Sequence, residues 1–215
     1  MAWMEQLKAA GAGQVTACVA SAYVLGCFTT GYYLVRARTG RDIRRIESGN
    51  VGARNVGRLL GKSALVLTAL GDVGKGILAV WATHRFTGNS VLEAIALLAV
   101  VAGHIWPAQL RFHGGKGAAT SLGALLIYDP QLTAAYVICF LAGFILLRKI
   151  TLPGLLAFVA LPFCSWWLQR DGFNLTIITA LSLMVLFAHR RNIVEEIAAI
   201  AARRNFTAKP QPPKP

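Results

Sequence analysis

The sequence predicts an all-α, polytopic integral membrane protein with about seven transmembrane helices. The chain of 215 residues is 55% hydrophobic and 14% charged, whereas a soluble domain carries about 25% charged residues. The apolar residues also gather into runs of membrane-spanning length, separated by polar segments. We therefore expect one membrane-embedded domain, residues 1–205, followed by a disordered Pro/Lys tail, residues 206–215.

Seven apolar runs follow one another along the chain. They are residues 14–35, 63–84, 91–110, 119–128, 131–147, 152–169 and 173–188. Most approach the roughly 20 residues that a helix needs to cross the hydrocarbon core. The run 119–128 is too short to span alone, unless the glycine-rich segment before it enters the bilayer. Pro107 should kink the third helix and free the carbonyl of Gly103.

Basic residues are distributed unevenly between the two ends of these helices. The net charge is +13, and of the 22 Lys and Arg residues, 18 fall on one side, three on the other and one inside a run. By the positive-inside rule the basic side is cytoplasmic, which places the N-terminus outside and the C-terminus in the cytoplasm. The long apolar runs argue against nucleic-acid binding as the reason for the charge. The basic segments are residues 36–62, 111–118, 148–151 and 189–215.

Residues 112–120, Phe-His-Gly-Gly-Lys-Gly-Ala-Ala-Thr, are the first candidate for a phosphate site. Gly114, Gly115 and Gly117 allow backbone N–H groups to turn toward an anion, and Lys116 adds a full positive charge. A helix starting near residue 118 would contribute its positive N-terminal end. The segment lacks the spacing of a P-loop. The alternative is a flexible glycine loop between two hydrophobic segments.

Two further polar segments fall on the same predicted face. Residues 48–58 read Ser-Gly-Asn-Val-Gly-Ala-Arg-Asn-Val-Gly-Arg, and residues 189–192 read His-Arg-Arg-Asn. Arginine can hold a phosphate through two bonds, while Ser and Asn can bond its oxygens or a hydroxyl group. A surface turn would also explain the first segment, since Ser, Gly and Asn are turn formers. Three phosphate-compatible segments on one face favour a shared site.

Ionisable residues also occur inside the predicted spans. Asp72 and Lys75 are three residues apart near the middle of the second run, so they share a helix face. Such residues line a polar cavity or form a structural pair that braces close packing at Gly71, Gly74 and Gly76, and both interpretations stay open. His104 is either a packing residue or part of the site that follows it. The four cysteines show no metal-ligand spacing, and we expect no metal or cofactor.

Together these segments resemble the PlsY family of bacterial glycerol-3-phosphate acyltransferases. The resemblance extends from about Ala17 to Ile193. The chain departs from the family pattern at Glu47, at Arg54 and in the segment after Ile193. The matching signatures are Ser48-Gly-Asn-x-Gly-Ala-x-Asn-x-x-Arg58, Gly71-Asp-x-x-Lys-Gly76, His104-x-x-Pro107, Phe112-x-Gly-Gly-Lys-Gly-x-Ala-Thr120 and His189-x-x-Asn-Ile193.

The resemblance implies an enzyme of phospholipid biosynthesis in the bacterial inner membrane, with its site on the cytoplasmic face. Its partners would be acyl phosphate, glycerol 3-phosphate and membrane lipid, and its products lysophosphatidic acid and inorganic phosphate. The implied catalytic residues are Ser48, Lys116 and His189. Glycerol 3-phosphate would be bound by Ser48, Asn50, Asn55, Arg58, Lys116, His189 and Asn192. Acyl phosphate would be bound by His104, Gly114, Gly115, Gly117 and Thr120.

Two other functions remain open from the sequence. The departures at Arg54 and in the C-terminal segment fit a diverged acyltransferase with a different phosphorylated acceptor. A non-catalytic carrier of a phosphorylated small molecule would use Asp72, Lys75 and His104 to line a pathway. A carrier would bind its substrate without releasing inorganic phosphate, whereas an acyltransferase would release it from an acyl phosphate.

Overall fold

A computed structural model describes residues 2–207, with the backbone alone for residues 2, 199, 200 and 202–207. Within this range the chain forms ten α-helices and no β-strand. The predicted tail from residue 208 onward lies outside the described residues, and residues 206 and 207 form the end of the last helix. The helices are α1 (Ala2–Cys27), α2 (Thr30–Thr39), α3 (Ala53–Leu60), α4 (Lys62–Thr87), α5 (Ser90–Ile105), α6 (Ala118–Tyr128), α7 (Pro130–Leu147), α8 (Thr151–Gln169), α9 (Gly172–Ala188) and α10 (Arg190–Thr207).

The helices confirm the all-α membrane class. Among the described residues, five stretches are long and apolar enough to cross a bilayer, and α9 joined to α10 through a 62° bend makes a sixth if the pair is one span. All seven predicted runs are largely helical, but α6 has only 11 residues and does not reach the length of a span. The number of crossings and their direction stay predictions. The five stretches are Trp3–Thr39, Lys62–Thr87, Ser90–Leu110, Pro130–Leu147 and Thr151–Gln169.

Side-chain caps mark the N-terminal ends of three helices. The Asn89 side chain accepts the amides of Val91 and Leu92 at the start of α5. Asp129 caps α7 ahead of Pro130, and Asp171 caps α9. Asn and Asp are preferred at this position because their oxygens accept helix N–H groups that have no partner within the helix. All three capped ends lie at the end of the molecule opposite to the predicted phosphate site.

The first predicted span, residues 14–35, is divided between two helices. Helix α1 begins earlier, at Ala2, bends at Gly11, and ends at Cys27 before α2 starts at Thr30. The Lys75 ammonium group donates hydrogen bonds to the carbonyls of Gly26 and Phe28, at 3.0 and 2.9 Å. These bonds stabilise the break because they pair carbonyls at the end of α1. A single continuous helix was therefore the wrong prediction.

Small residues let two helix pairs approach closely. A Cβ at Gly26 in α1 would meet the Val100 carbonyl of α5, and a Cβ at Gly103 in α5 would meet the Tyr23 carbonyl of α1. Helices α4 and α6 show the same reciprocal arrangement at Gly76 and Gly123. Such contacts are typical of helix packing in membranes. Gly74 has open space around it, so its predicted role as a contact is wrong.

A small second core holds the segment between α2 and α4. Val35, Ile43, Val51 and Val56 are fully buried and pack together beside the main core. The segment of residues 40–60 therefore has its own apolar support, although it is rich in charged and turn-forming residues. This support holds the segment beside the loop that follows α5, where Arg44 donates to the carbonyl of Leu110.

Candidate active site

The glycine-rich segment folds back onto the end of α5. Helix α5 ends at Ile105, two residues before Pro107, instead of continuing with a kink to residue 110. The residue before a proline is disfavoured in the helical conformation, which explains the early end. The amides of Gly114 and Gly115 donate to the carbonyls of Ile105 and His104, at 3.1 and 3.0 Å. These bonds satisfy carbonyls at the helix end.

This geometry corrects the predicted role of two amides. Because the N–H groups of Gly114 and Gly115 are already paired, the prediction that they turn toward a phosphate is wrong in this structure. The need for glycine has another cause, since a Cβ at Gly115 would collide with the His104 ring and one at Gly114 with the His104 carbonyl. Gly117, at a φ of 83°, immediately precedes α6, whose N-terminus has no side-chain cap among the described residues.

Lys116 and Asn192 connect the glycine-rich segment to the start of α10. The Lys116 ammonium group donates to Oδ1 of Asn192, and its side chain is half-buried. Burial lowers the pKa of Lys116, and Glu195 offsets this effect by raising it. The charges of Arg54 and Arg191 lower the same pKa further. A lysine in such surroundings gains from a nearby anion, because an opposite charge favours the ammonium form.

Three of the predicted segments share one cavity of about 580 Å³. Its wall has four cationic side chains and two carboxylates, so positive charge is in excess. The cations are Arg44, Lys116, Arg190 and Arg191, and the carboxylates are Glu47 and Glu195. The predicted site residues in the wall are Ser48, Asn50, Gly114, Gly115, Lys116 and Asn192.

The segment around Ser48 is held by Asn55 and Arg44. Asn55, which is 3% exposed, donates through Nδ2 to the carbonyls of Ile46 and Asn50, at 3.1 and 2.9 Å. Asn55 therefore shapes this loop and does not line the cavity. Arg44 donates to the carbonyl of Leu110 at 2.7 Å and pairs with Asp42. The hydrogen bond from Arg44 lowers the pKa of Asp42.

Sequence reasoning missed Arg44 as a residue of the site. From the sequence, Arg44 was noted only as one of eight basic residues in the segment of residues 36–62. The available signal was Asp42 two residues earlier, whose carboxylate accepts the Arg44 amide and side chain and fixes the direction of the arginine. That orientation lets the same guanidinium group reach the loop after α5.

His189 lies beside a second, smaller cavity. Its Nδ1 donates to the carbonyl of Val185 at 2.8 Å, which leaves Nε2 as the nitrogen able to accept a proton. Burial lowers the pKa of His189, which favours the neutral form of the imidazole. The smaller cavity, about 190 Å³, is walled mainly by apolar residues of α7 and α8.

Four other predicted residues are not in the wall of the larger cavity. Arg58 is exposed in the last turn of α3. His104 and Thr120 are buried, and Gly117 lies against Ile105 and Val101. Their predicted binding roles stay predictions.

Asp72, Lys75 and His104 form a buried cluster that joins several helices. The Lys75 ammonium group lies 2.7 Å from His104 Nδ1 and 3.2 Å from Asp72 Oδ1. Asp72 also accepts from the Thr30 hydroxyl at 3.1 Å. Because these partners are internal and the residues are 3–5% exposed, the contacts favour the structural interpretation over a polar pathway.

A third cavity, of about 410 Å³, lies at the opposite end of the helices. Its wall includes Glu93, Asp129 and Asp171, together with the aromatic residues Trp3 and Phe173. An acidic wall repels phosphate, so the candidate anion site belongs to the end that carries Lys116.

The fold and this cavity define a multi-pass membrane protein with a cationic site at one end of its helices. The sequence model of the family described as Glycerol-3-phosphate acyltransferase matches residues 16–199. The chain therefore belongs to this family, and the resemblance in its motifs is confirmed.

Individual relatives agree with the family match. The chain is 41% identical over 186 residues to "Glycerol-3-phosphate acyltransferase 1" of Desulfitobacterium hafniense (strain Y51), covering 86% of this chain and 92% of the relative. It is 43% identical over 180 residues to "Glycerol-3-phosphate acyltransferase" of Clostridioides difficile (strain 630), covering 80% and 86%.

Solved structures show the same fold. The fold is similar to the crystal structure of PlsY (YgiH), an integral membrane glycerol 3-phosphate acyltransferase, in its glycerol 3-phosphate form. The TM-score is 0.78 at 30% identity, with 86% of this chain and 92% of that chain covered. The lysophosphatidic acid form gives a TM-score of 0.75 at 28% identity, with the same coverage.

Proposed function

We propose that this protein transfers an acyl group from acyl phosphate to the 1-position of sn-glycerol 3-phosphate. The observation that carries the proposal is the cavity in which Lys116, bound to Asn192, lies with Ser48 and Asn50 and an excess of cations. The family membership and the ligand forms of the related PlsY structure support glycerol 3-phosphate as the acceptor. The excess of positive charge in the cavity and the motif around Lys116 support acyl phosphate as the donor.

The reaction makes one ester bond and breaks one anhydride bond. The C1 hydroxyl oxygen of glycerol 3-phosphate attacks the acyl carbonyl carbon, and the bond from that carbon to the phosphate oxygen breaks. The products are lysophosphatidic acid and inorganic phosphate. The hydroxyl proton passes to Nε2 of His189 or to a phosphate oxygen of the acceptor.

Charge neutralisation is the main task of the site, because both substrates are phosphates. Two anions repel each other when they are brought together, and Lys116 and Arg44 supply opposing positive charge inside the cavity. Acyl phosphate is already activated as an anhydride, so positioning and charge stabilisation can supply most of the rate. Ser48 and Asn50 line the same cavity, and their side chains can bind hydroxyl or phosphate oxygens.

The same proposal includes the location of the protein. The basic helix ends that carry the cavity point to the cytoplasmic face of the bacterial inner membrane, by the positive-inside rule. On that face a soluble acceptor reaches the site from the cytoplasm.

The first test follows inorganic phosphate released from palmitoyl phosphate by the detergent-purified protein, with and without glycerol 3-phosphate. We expect release that depends on the acceptor and yields lysophosphatidic acid. Lys116→Ala should lower kcat/KM by about 100-fold or more, the scale for loss of one charge-stabilising donor. Lys62→Ala is the matched control, since it removes an exposed lysine on the same side.

The other outcomes identify the alternatives. Release without the acceptor would indicate a hydrolase or another acceptor. No release from folded protein that still binds glycerol 3-phosphate would indicate a carrier. Equal activity of Lys116→Ala and the unmodified protein would refute the assignment of Lys116.

A further inference from the structure

Arg54 links the loop around Ser48 to the start of α8. It lies in the first turn of α3, and its Nη1 donates to the hydroxyl of Thr151, the first residue of α8, at 2.6 Å. The two residues are 97 positions apart in the chain. One N–H group of the guanidinium is engaged in this way, and the planar group keeps further donors for a ligand.

Arg54 also lies in the wall of the smaller cavity of about 190 Å³. Tyr136, Phe140 and Phe158 form much of this wall, and Arg54 and His189 are its basic side chains. The cavity is therefore apolar along α7 and α8, with cationic groups at its boundary.

The two cavities are adjacent, because neighbouring residues of the chain line them. Lys116 and Ala188 line the larger cavity, whereas Ala118 and His189, which are two and one residues further along the chain, line the smaller one together with Arg54. The positive charge of Arg54 also lowers the pKa of Lys116. A ligand with an apolar chain and an anionic head can therefore place its chain beside Phe158 and its head between Arg54 and Lys116.

We propose that Arg54, held by Thr151, is a specificity-determining residue that binds the phosphate group of the acyl donor at the boundary of the apolar cavity. This inference rests on the proposed function. Acyl phosphate has an apolar chain as well as a phosphate, whereas glycerol 3-phosphate has no chain to place in the smaller cavity. Arginine suits the role because its guanidinium group can hold a phosphate through two parallel hydrogen bonds.

The test compares the Michaelis constants of the two substrates in Arg54→Gln. We expect the KM for palmitoyl phosphate to rise about 10-fold, on the scale of one charge-assisted hydrogen bond. The KM for glycerol 3-phosphate should stay within about twofold, because Arg54 does not line the larger cavity. Butyryl phosphate should show the same rise, since Arg54 acts on the phosphate group and not on the chain.

Three further variants separate charge, orientation and distant effects. Arg54→Lys keeps the charge and should recover part of the donor affinity. Thr151→Val frees the arginine and should raise the donor KM by less than Arg54→Gln does. Arg85→Gln removes an exposed arginine from the opposite end of the molecule and should change neither constant.

A higher KM for glycerol 3-phosphate with an unchanged donor KM would overturn the inference, and so would no change in either constant. The direct binding of hexadecyl phosphate, a stable mimic of the donor, is measured as well. This measurement distinguishes failure of the inference about Arg54 from failure of the proposed function. If the unmodified protein releases no phosphate from palmitoyl phosphate, the proposed donor is wrong. Weaker binding of hexadecyl phosphate to Arg54→Gln would then still support the anion site at Arg54, and equal binding would refute it.

Discussion

Replacement of Lys75 by methionine tests the buried cluster that joins α1, α2, α4 and α5. Methionine is of similar length but cannot donate the hydrogen bonds that the ammonium group makes to the Gly26 and Phe28 carbonyls. It also leaves the Asp72 carboxylate without the cation that lies 3.2 Å away. Thr30 remains as one donor to Asp72. The substitution therefore leaves the Gly26 and Phe28 carbonyls without the Lys75 donor, and the Asp72 carboxylate with Thr30 as its remaining side-chain partner.

The structure sets the size of the effect. Removal of one partner from a buried ion pair costs about 3–5 kcal/mol, because it leaves an uncompensated charge. For a chain of this length each kcal/mol corresponds to about 2–4 °C in melting temperature. We therefore expect Lys75→Met to lower the melting temperature by roughly 6–20 °C. The loss should exceed that of Lys62→Met, which changes an exposed lysine at the start of the same helix.

The measurement is thermal unfolding in detergent, followed by tryptophan fluorescence at fixed detergent concentration. Adding Asp72→Asn to Lys75→Met removes the stranded charge, so the double variant should be less destabilised than the sum of the two single variants. A fall of less than about 2 °C in the single variant, or additive losses in the double variant, would refute the ion-pair reasoning.

Two further predictions concern the glycine-rich segment and the lysine within it. Gly115→Ala should destabilise the protein by about 1–3 kcal/mol, because the added methyl group meets the His104 ring. Thermal unfolding should show this loss, and it should be absent in Gly74→Ala, where the surroundings are open. Glu195→Gln should move the alkaline limb of the kcat/KM profile to lower pH, because Glu195 raises the pKa of Lys116 against the lowering effect of burial. A pH–rate profile measures this shift, and an unchanged limb would contradict a requirement for protonated Lys116.

The sequence was sufficient for the all-α membrane class and for the grouping of three segments of the site. Hydropathy alone located every predicted run, because burial in lipid requires long apolar segments. The uneven distribution of basic residues correctly grouped the segments around Ser48, Lys116 and Asn192, which share one cavity. The residue types within each segment were enough to predict a shared site, because all three segments lie at or near the ends of helices.

The errors arose where a distant partner determines the local structure. The break after α1 lies next to the carbonyls of Gly26 and Phe28, whose partner is Lys75, 49 and 47 residues further along the chain. The amides of Gly114 and Gly115 turn toward α5 because its last carbonyls need donors, and no local pattern shows the direction of an amide. Arg54 was noticed only as an unusual residue, because Thr151 lies in another helix.

The shortness of α6 affects how the two proposed substrates enter the site. Its 11 residues extend for only about 17 Å, roughly half of a hydrocarbon core of about 30 Å. The Lys116 cavity, next to its first residue, therefore need not stand above the lipid headgroups. Under the proposed function, an acyl donor dissolved in the membrane can enter sideways between helices, while glycerol 3-phosphate enters from the aqueous side. The acylated product can then leave into the lipid without passing through water.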